Sequence, residues 1–246
     1  MINFSVWDQL LKEYVNVSGE VDYQCWQIEA KSDLNQWLNS NSNLQLKQLT
    51  NEEALTTLIN LYNALVIAEV LDKYPIQSIR PTFLGIPNWL SFLRFFSKPV
   101  YSLNHQRVSL NDIEHKMLRQ QWHEPRIHFA LVCAAIGCPL LRNEAYQPSR
   151  INEQLEADAT RFINNLDKVK YFPESNLLQC SPIFKWYRKD FLEVASSLPS
   201  YINQHRSITI STSVSIQYLP YDWRLNESIN GRQGDKERGR QGERGE

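Results

Sequence analysis

R-I-H-F-A-L-V-C-A-A-I-G-C-P-L-L, residues 126–141, is the stretch on which the reading of this chain turns. Ile127 to Ala134 is apolar except for His128 and carries Ile, Phe and Val, which predicts a central strand buried on both faces. Gly137 then permits a tight turn, and Pro139 suits the first position of a short helix, where its missing N–H would have had no partner. Cys138 would stand at a strand-to-helix junction, where the positive end of the helix favours thiolate over thiol. By strand alternation Ile127, Phe129, Leu131 and Cys133 share one face, with His128, Ala130, Val132 and Ala134 on the other. Cys133 is therefore expected to stay protonated in apolar packing, which leaves Cys138 as the reactive thiol.

Working outward, 246 residues with 42% hydrophobic and 11% aromatic content can bury a sizeable core, and one domain is expected. The formal net charge of −1 gives no overall electrostatic argument for nucleic acid or an anionic membrane. Four scattered cysteines, Cys25, Cys133, Cys138 and Cys180, predict reduced thiols in a cytoplasmic protein rather than a disulfide framework. The N-terminal residues have no basic region or uninterrupted apolar core and do not read as a secretory signal.

Phe4, Trp7, Leu10, Leu11 and Tyr14 fall at helical spacing, and a second helix is expected over Tyr23 to Leu38. This segment, 1–49, should pack on a core spanning 50–230. Thr50 and Glu53 form a capping box that opens the longest apolar helix, running to about Lys73. Phe83 to Phe96 is aromatic and broken by Pro87 and Arg94. It is too short for a transmembrane segment and reads as a core-covering helix or lid, with an interfacial membrane role as the lesser alternative. A small hairpin around Leu103 to Gln106 comes next, then a helix capped by Ser109 and Asp112, an amphipathic helix from Arg150 to Leu166 and strands at Lys168–Phe172 and Leu177–Ser181. A helix after Pro182 and a late strand from Ile208 to Tyr218 complete the core. Residues 231–246 contain no apolar side chain and predict a disordered tail. The fold class is α+β, a helix-rich single domain around a small, mostly antiparallel sheet, with a cysteine-peptidase or transglutaminase-like arrangement as its candidate template.

Asn60 and Asn63 stand one turn apart in an apolar helix, where buried amides need partners. Either they bridge to the backbone of adjacent elements or they line a polar pocket; in the second case they form a substrate-binding set with Arg126. His115 can be oriented by Asp112 at i−3, but not readily by its chain neighbour Glu114, and the plain alternative is a solvated face on which Glu114 pairs with Arg119.

Six motifs resemble the family known as domain of unknown function 547: I-N-x-Y-N-A from Ile59, Y-P-I-x-S-I-R from Tyr74, S-L-x-D-I-E-H from Ser109, the P-R-I-H-F-A-L-V-C…C-P block from Pro125, I-F-K-W-Y-x-x-D-F from Ile183 and Y-D-W-x-L-N from Tyr221. They run in order from Thr50 to Asn226, with one departure at Leu58, where the family usually has an aromatic. The resemblance implies no activity, so the residues themselves carry the functional argument.

Three classes compete. In a thiol hydrolase or acyl transferase, Cys138 is the nucleophile, His128 or His115 the base, Glu114 part of the catalytic set, and the substrate a peptide or amide. Pro139, which has no N–H, weakens its oxyanion hole. In a non-enzymatic interaction module, His128 is a satisfied core histidine and the cysteines are small apolar fillers. A metal site built from Cys133, Cys138, His128 and His115 has a C-x4-C spacing outside the usual zinc patterns, so no metal or other cofactor is expected. The turn and two histidines close to Cys138 in the motifs favour the enzyme.

Overall fold

The computed structural model describes residues 2–83 and 86–228, so the expected disordered tail at 231–246 lies outside the described residues. Helix α1, Ser5–Tyr14, turns Trp7, Leu10, Leu11 and Tyr14 inward. The expected second helix divides into α2, Tyr23–Glu29, and α3, Lys31–Ser40, because Ala30 leaves helical geometry at φ −138°, ψ 16°. Trp7 packs between Trp26 and Trp37, with ring centroids 6.0 and 5.8 Å away, which holds α1 to α2 and α3, and its Nε1 donates to Asn60 at 3.1 Å, which fastens the N-terminal segment to the core. Helix α4, Asn51–Leu71, opens with the expected capping box, in which Thr50 and Glu53 satisfy each other's backbone N–H groups. Its length and apolarity would allow it to cross a membrane, yet 89% of its most apolar 18-residue stretch is buried inside the protein.

Short strands β1, Thr82–Phe83, and β2, Ile86–Pro87, pair antiparallel ahead of helix α5, Trp89–Ser97. The hairpin of β3, Tyr101–Leu103, and β4, Gln106–Val108, turns at Asn104 and His105, both with positive φ as a primed two-residue turn requires. Asp112–Leu118 winds as a π-helix and runs directly into α6, Arg119–Gln121. After α7, Ile151–Asn164, strands β5, Val169–Phe172, and β6, Leu177–Cys180, form a hairpin. The chain continues through α8, Ile183–Trp186, α9, Arg188–Val194, and α10, Leu198–Asn203, to β7, Ser215–Tyr218. This last strand is shorter than the alternation from Ile208 suggests and lies parallel to β6, which makes the three-stranded sheet mixed. The whole is a single α+β domain with helix in excess, as expected.

The central strand is corrected. Pro125–Phe129 is a 3₁₀ helix capped by Glu124, and residues 130–138 follow as irregular backbone with positive φ at Ala134. The stretch is buried as its composition demands; Ile127, Ala130 and Leu131 join one hydrophobic cluster while Phe129 joins a second around α7, α9 and α10. Ala134, Ile136 and Gly137 pair with the backbone of residues 222–226, but at Ala130 and Val132 the partner is a side chain instead of a strand. Asn63 Nδ2 donates to the Ala130 carbonyl at 2.9 Å, and the Val132 N–H donates to Asn63 Oδ1 at 3.0 Å. One amide thus makes the pair of bonds that a neighbouring strand would have made. Asn60 does the same at Tyr146, giving and receiving at 2.9 and 3.0 Å, and accepts from Trp7 Nε1 as well. The backbone-bridging alternative describes both asparagines.

Candidate functional site

A cavity of about 550 Å³ opens where α5, the π-helix, the 128–139 stretch and the C-terminal aromatics meet. Trp89, Phe92, Leu93 and Phe96 of α5 form one wall, and Trp186, Tyr187, Tyr221 and Trp223 another. Between them lie Glu114, His115, Arg119, His128, Cys133 and Cys138. Four expected site residues, Cys138, His128, His115 and Glu114, therefore share one cavity. Asn60, Asn63 and Arg126 do not line it; Arg126 bonds Glu124 and Glu156 elsewhere.

Cys138 does not start a helix. Residues 139–147 are irregular, so no helix dipole acts on its sulfur, and the turn serves another purpose. Cys133 and Cys138 are joined as a disulfide, with Cα atoms 6.3 Å apart, against the expectation of free thiols. The face assignment failed because it assumed strand alternation, whereas positive φ at Ala134 reverses the chain and brings the two sulfurs together. The Cys133 N–H donates to Cys138 Sγ at 3.0 Å and the Tyr221 hydroxyl donates to the same sulfur at 3.2 Å, while also lying 3.4 Å from Cys133 Sγ. Burial pushes the Tyr221 phenol up, so it remains a donor at neutral pH. Gly137 allows this approach: a Cβ there would stand 2.8 Å from the Tyr221 ring and 2.9 Å from the Asp222 carbonyl oxygen. By contrast, burial pushes the Cys180 thiol up to about 12, which leaves it inert.

Neither histidine makes a hydrogen bond to either sulfur among the described residues. The Asp112 carboxylate caps Ser109 and pairs with Lys116 rather than orienting His115. His115 Nδ1 instead accepts from Arg119 Nη1 at 3.0 Å, because a guanidinium can only donate, and its proton sits on Nε2. Arg119 does not pair with Glu114; it grips Asp190 through two bonds of 2.6 and 2.7 Å. His128 Nε2 donates to the same carboxylate at 2.8 Å, with its ring stacked 3.7 Å from that of Tyr187. Burial lowers the His128 pKa despite Asp190, so the imidazole is neutral at pH 7. Glu114 is buried and accepts from the Tyr187 hydroxyl at 2.6 Å and the Tyr62 hydroxyl at 3.2 Å. Burial, then the adjacent Glu114 charge, raises both phenols and keeps them protonated.

Tyr62, Arg119, Tyr187, Asp190 and Tyr221 complete the site and were not singled out from sequence. Four of them were within sight, because Tyr62, Tyr187, Asp190 and Tyr221 all fall inside runs quoted above from Ile59, Ile183 and Tyr221.

The model of the family described as protein of unknown function, DUF547, matches residues 46–163, the part carrying α4, the π-helix and both disulfide cysteines. Tyr187, Asp190 and Tyr221 lie beyond the matched residues. No curated protein and no solved structure matches the chain.

Proposed function

We propose that this chain, whose residues 46–163 belong to the DUF547 family of unknown function, is a thiol-dependent enzyme whose Cys133–Cys138 pair alternates between dithiol and disulfide in an aromatic cavity. The observation that carries this is the pairing of the two sulfurs in the cavity wall, with two donors converging on Cys138 Sγ. Once the pair is reduced, those donors stabilise negative charge on Cys138 in preference to Cys133. Acyl transfer, the chemistry expected from a Cys–His site, is less well supported, because the histidine hydrogen bonds go to Arg119 and Asp190 instead of sulfur. Thiol–disulfide exchange needs a thiolate and no general base. The Cys138 thiolate attacks one sulfur of a substrate disulfide and forms a mixed disulfide as the first substrate thiolate leaves. Cys133, deprotonated, then attacks Cys138 Sγ, closing the protein disulfide and releasing the second thiol. An external dithiol, of the kind a cytoplasmic location supplies, restores the starting form.

Turnover of a small aromatic disulfide with dithiothreitol as the reductant tests this. Cys138→Ser should abolish activity, Cys133→Ser should accumulate the mixed disulfide, and Tyr221→Phe should slow alkylation of reduced Cys138 at pH 7 roughly tenfold. Wild-type protein that turns over no disulfide and, isolated without reductant and then unfolded in urea, yields four alkylatable thiols would favour the non-enzymatic module.

A further inference from the structure

Between Asp72 and Asp112 the chain contains no aspartate or glutamate, although acids and bases are almost equal in number overall. The same span carries Arg80, Arg94, Lys98 and Arg107, and none of the four is in an ion pair among the described residues. The largest apolar exposure near the cavity falls here too. Leu90 is 79% exposed, Ile86 70%, Leu93 58% and Trp89 55%. Four such side chains in consecutive elements form a patch, where scattered single exposures would need no explanation.

Helix α5 explains the grouping. At about 100° per residue, Phe92, Phe95 and Phe96 occupy the arc turned to the core, where Phe95 is buried. Trp89, Leu93 and Leu90 occupy the next arc and face water. Arg94 and Lys98 follow on the far side, also exposed. A basic border beside an exposed apolar arc with a tryptophan at one end is the arrangement of a helix that lies in a membrane interface. The Arg80 guanidinium stacks 5.6 Å from Trp89 and 5.1 Å from Trp223, which holds Trp89 at the edge of the patch.

We infer that β2 and α5 dock on the surface of an anionic lipid bilayer, with Ile86, Trp89, Leu90 and Leu93 entering the headgroup region and Arg94 and Lys98 meeting lipid phosphates and carboxylates. Charge complementarity selects this occupant: a basic, acid-free span of a nearly neutral protein gains from a surface of uniform negative charge, such as the cytoplasmic leaflet. Apolar area and basic charge act together, as a single weak anchor holds only marginally. Trp89 and Leu93 also line the cavity, so docking would set its mouth against the lipid. None of this depends on the sulfur chemistry proposed above.

The test is sedimentation of the full chain with vesicles of phosphatidylcholine alone or with added phosphatidylserine, at low and high salt. The expected result is binding to the phosphatidylserine vesicles, weakened by salt, with at least tenfold loss for R94E/K98E and complete loss for L90D/L93D. Both variants should keep the wild-type melting temperature, since all four side chains face water. Failure to bind either vesicle, equal binding to both, or binding that survives L90D/L93D overturns the inference. So does a wild-type dimer that L90D/L93D converts to monomer, because the patch would then be a self-association surface.

Discussion

Water treats two of this protein's arginine–aspartate pairs differently. Arg142 donates to Asp158 at 2.8 Å, and Tyr146 and Arg161 bond the same carboxylate, whose side chain is 0% exposed. Arg119 grips Asp190 with His128 as the third partner, but Asp190 is 18% exposed and Arg119 26%. At Asp158, burial raises the carboxyl pKa and three donors do not reverse it. At Asp190, burial also pushes upward, but the bonds from Arg119 and His128 and their charges outweigh it and hold the carboxyl well below the usual range. The same chemistry therefore serves as a closed structural knot in one place and, at the cavity, as a securely ionised anchor for side chains that still have open faces. His115, half exposed beside Arg119, is the clearest of these.

The sharpest way to break this comparison is to remove each arginine. Arg142→Met leaves a carboxylate that water cannot reach with only Tyr146 and Arg161 as partners, and should cost about 3 kcal/mol of stability. Arg119→Met leaves Asp190 with His128 and partial solvation, and should cost about 1–2 kcal/mol. Urea denaturation measures both, and equal losses would mean that the two pairs do not differ as described.

A smaller effect comes with acid. Asp190 has a depressed folded pKa, so its stabilisation is present above the ordinary value of 3.8 and is lost as pH falls through the lower folded value; Asp190→Asn should flatten that limb of the stability curve. Asp158 has a raised folded pKa, so its contribution is full below 3.8 and lost as pH rises through the folded value. Asp158→Asn should therefore make stability fall more steeply as pH drops from 7 toward 3.8. Smallest of all, His128 has a lowered folded pKa, so the unfolded chain protonates first and stability declines as pH drops below 6.5. His128→Gln should remove that slope, and melting temperatures across the range would check all three signs.

Local signals carried the helices and hairpins into the structure. The Thr50–Glu53 box, the stripe of α1 and the Asn104–His105 turn each act within a few residues. What failed was non-local. Apolarity from Ile127 to Ala134, broken only by His128, reports burial but leaves φ and ψ open, and the decisive partner, Asn63, lies 67 residues away from Ala130. The disulfide escapes a local reading for the same reason, since the two sulfurs share a side only where the expected strand gives way to a turn. The cavity residues His115, His128 and Cys138 were legible as chemistry, but their partners Asp190 and Tyr221 arrive from distant parts of the chain.

The amide clamps on α4 also impose an order in time. Helix α4 can form from its own local bonds, whereas the Ala130 carbonyl, the Val132 N–H and the Tyr146 backbone have no partner until Asn63 and Asn60 are already presented on a formed helix. The 130–138 turn that brings the two sulfurs together is therefore expected to be a late event of folding. Pulse-labelled amide exchange during refolding should protect the interior of α4 before Val132; simultaneous protection would show that the turn assembles without the helix.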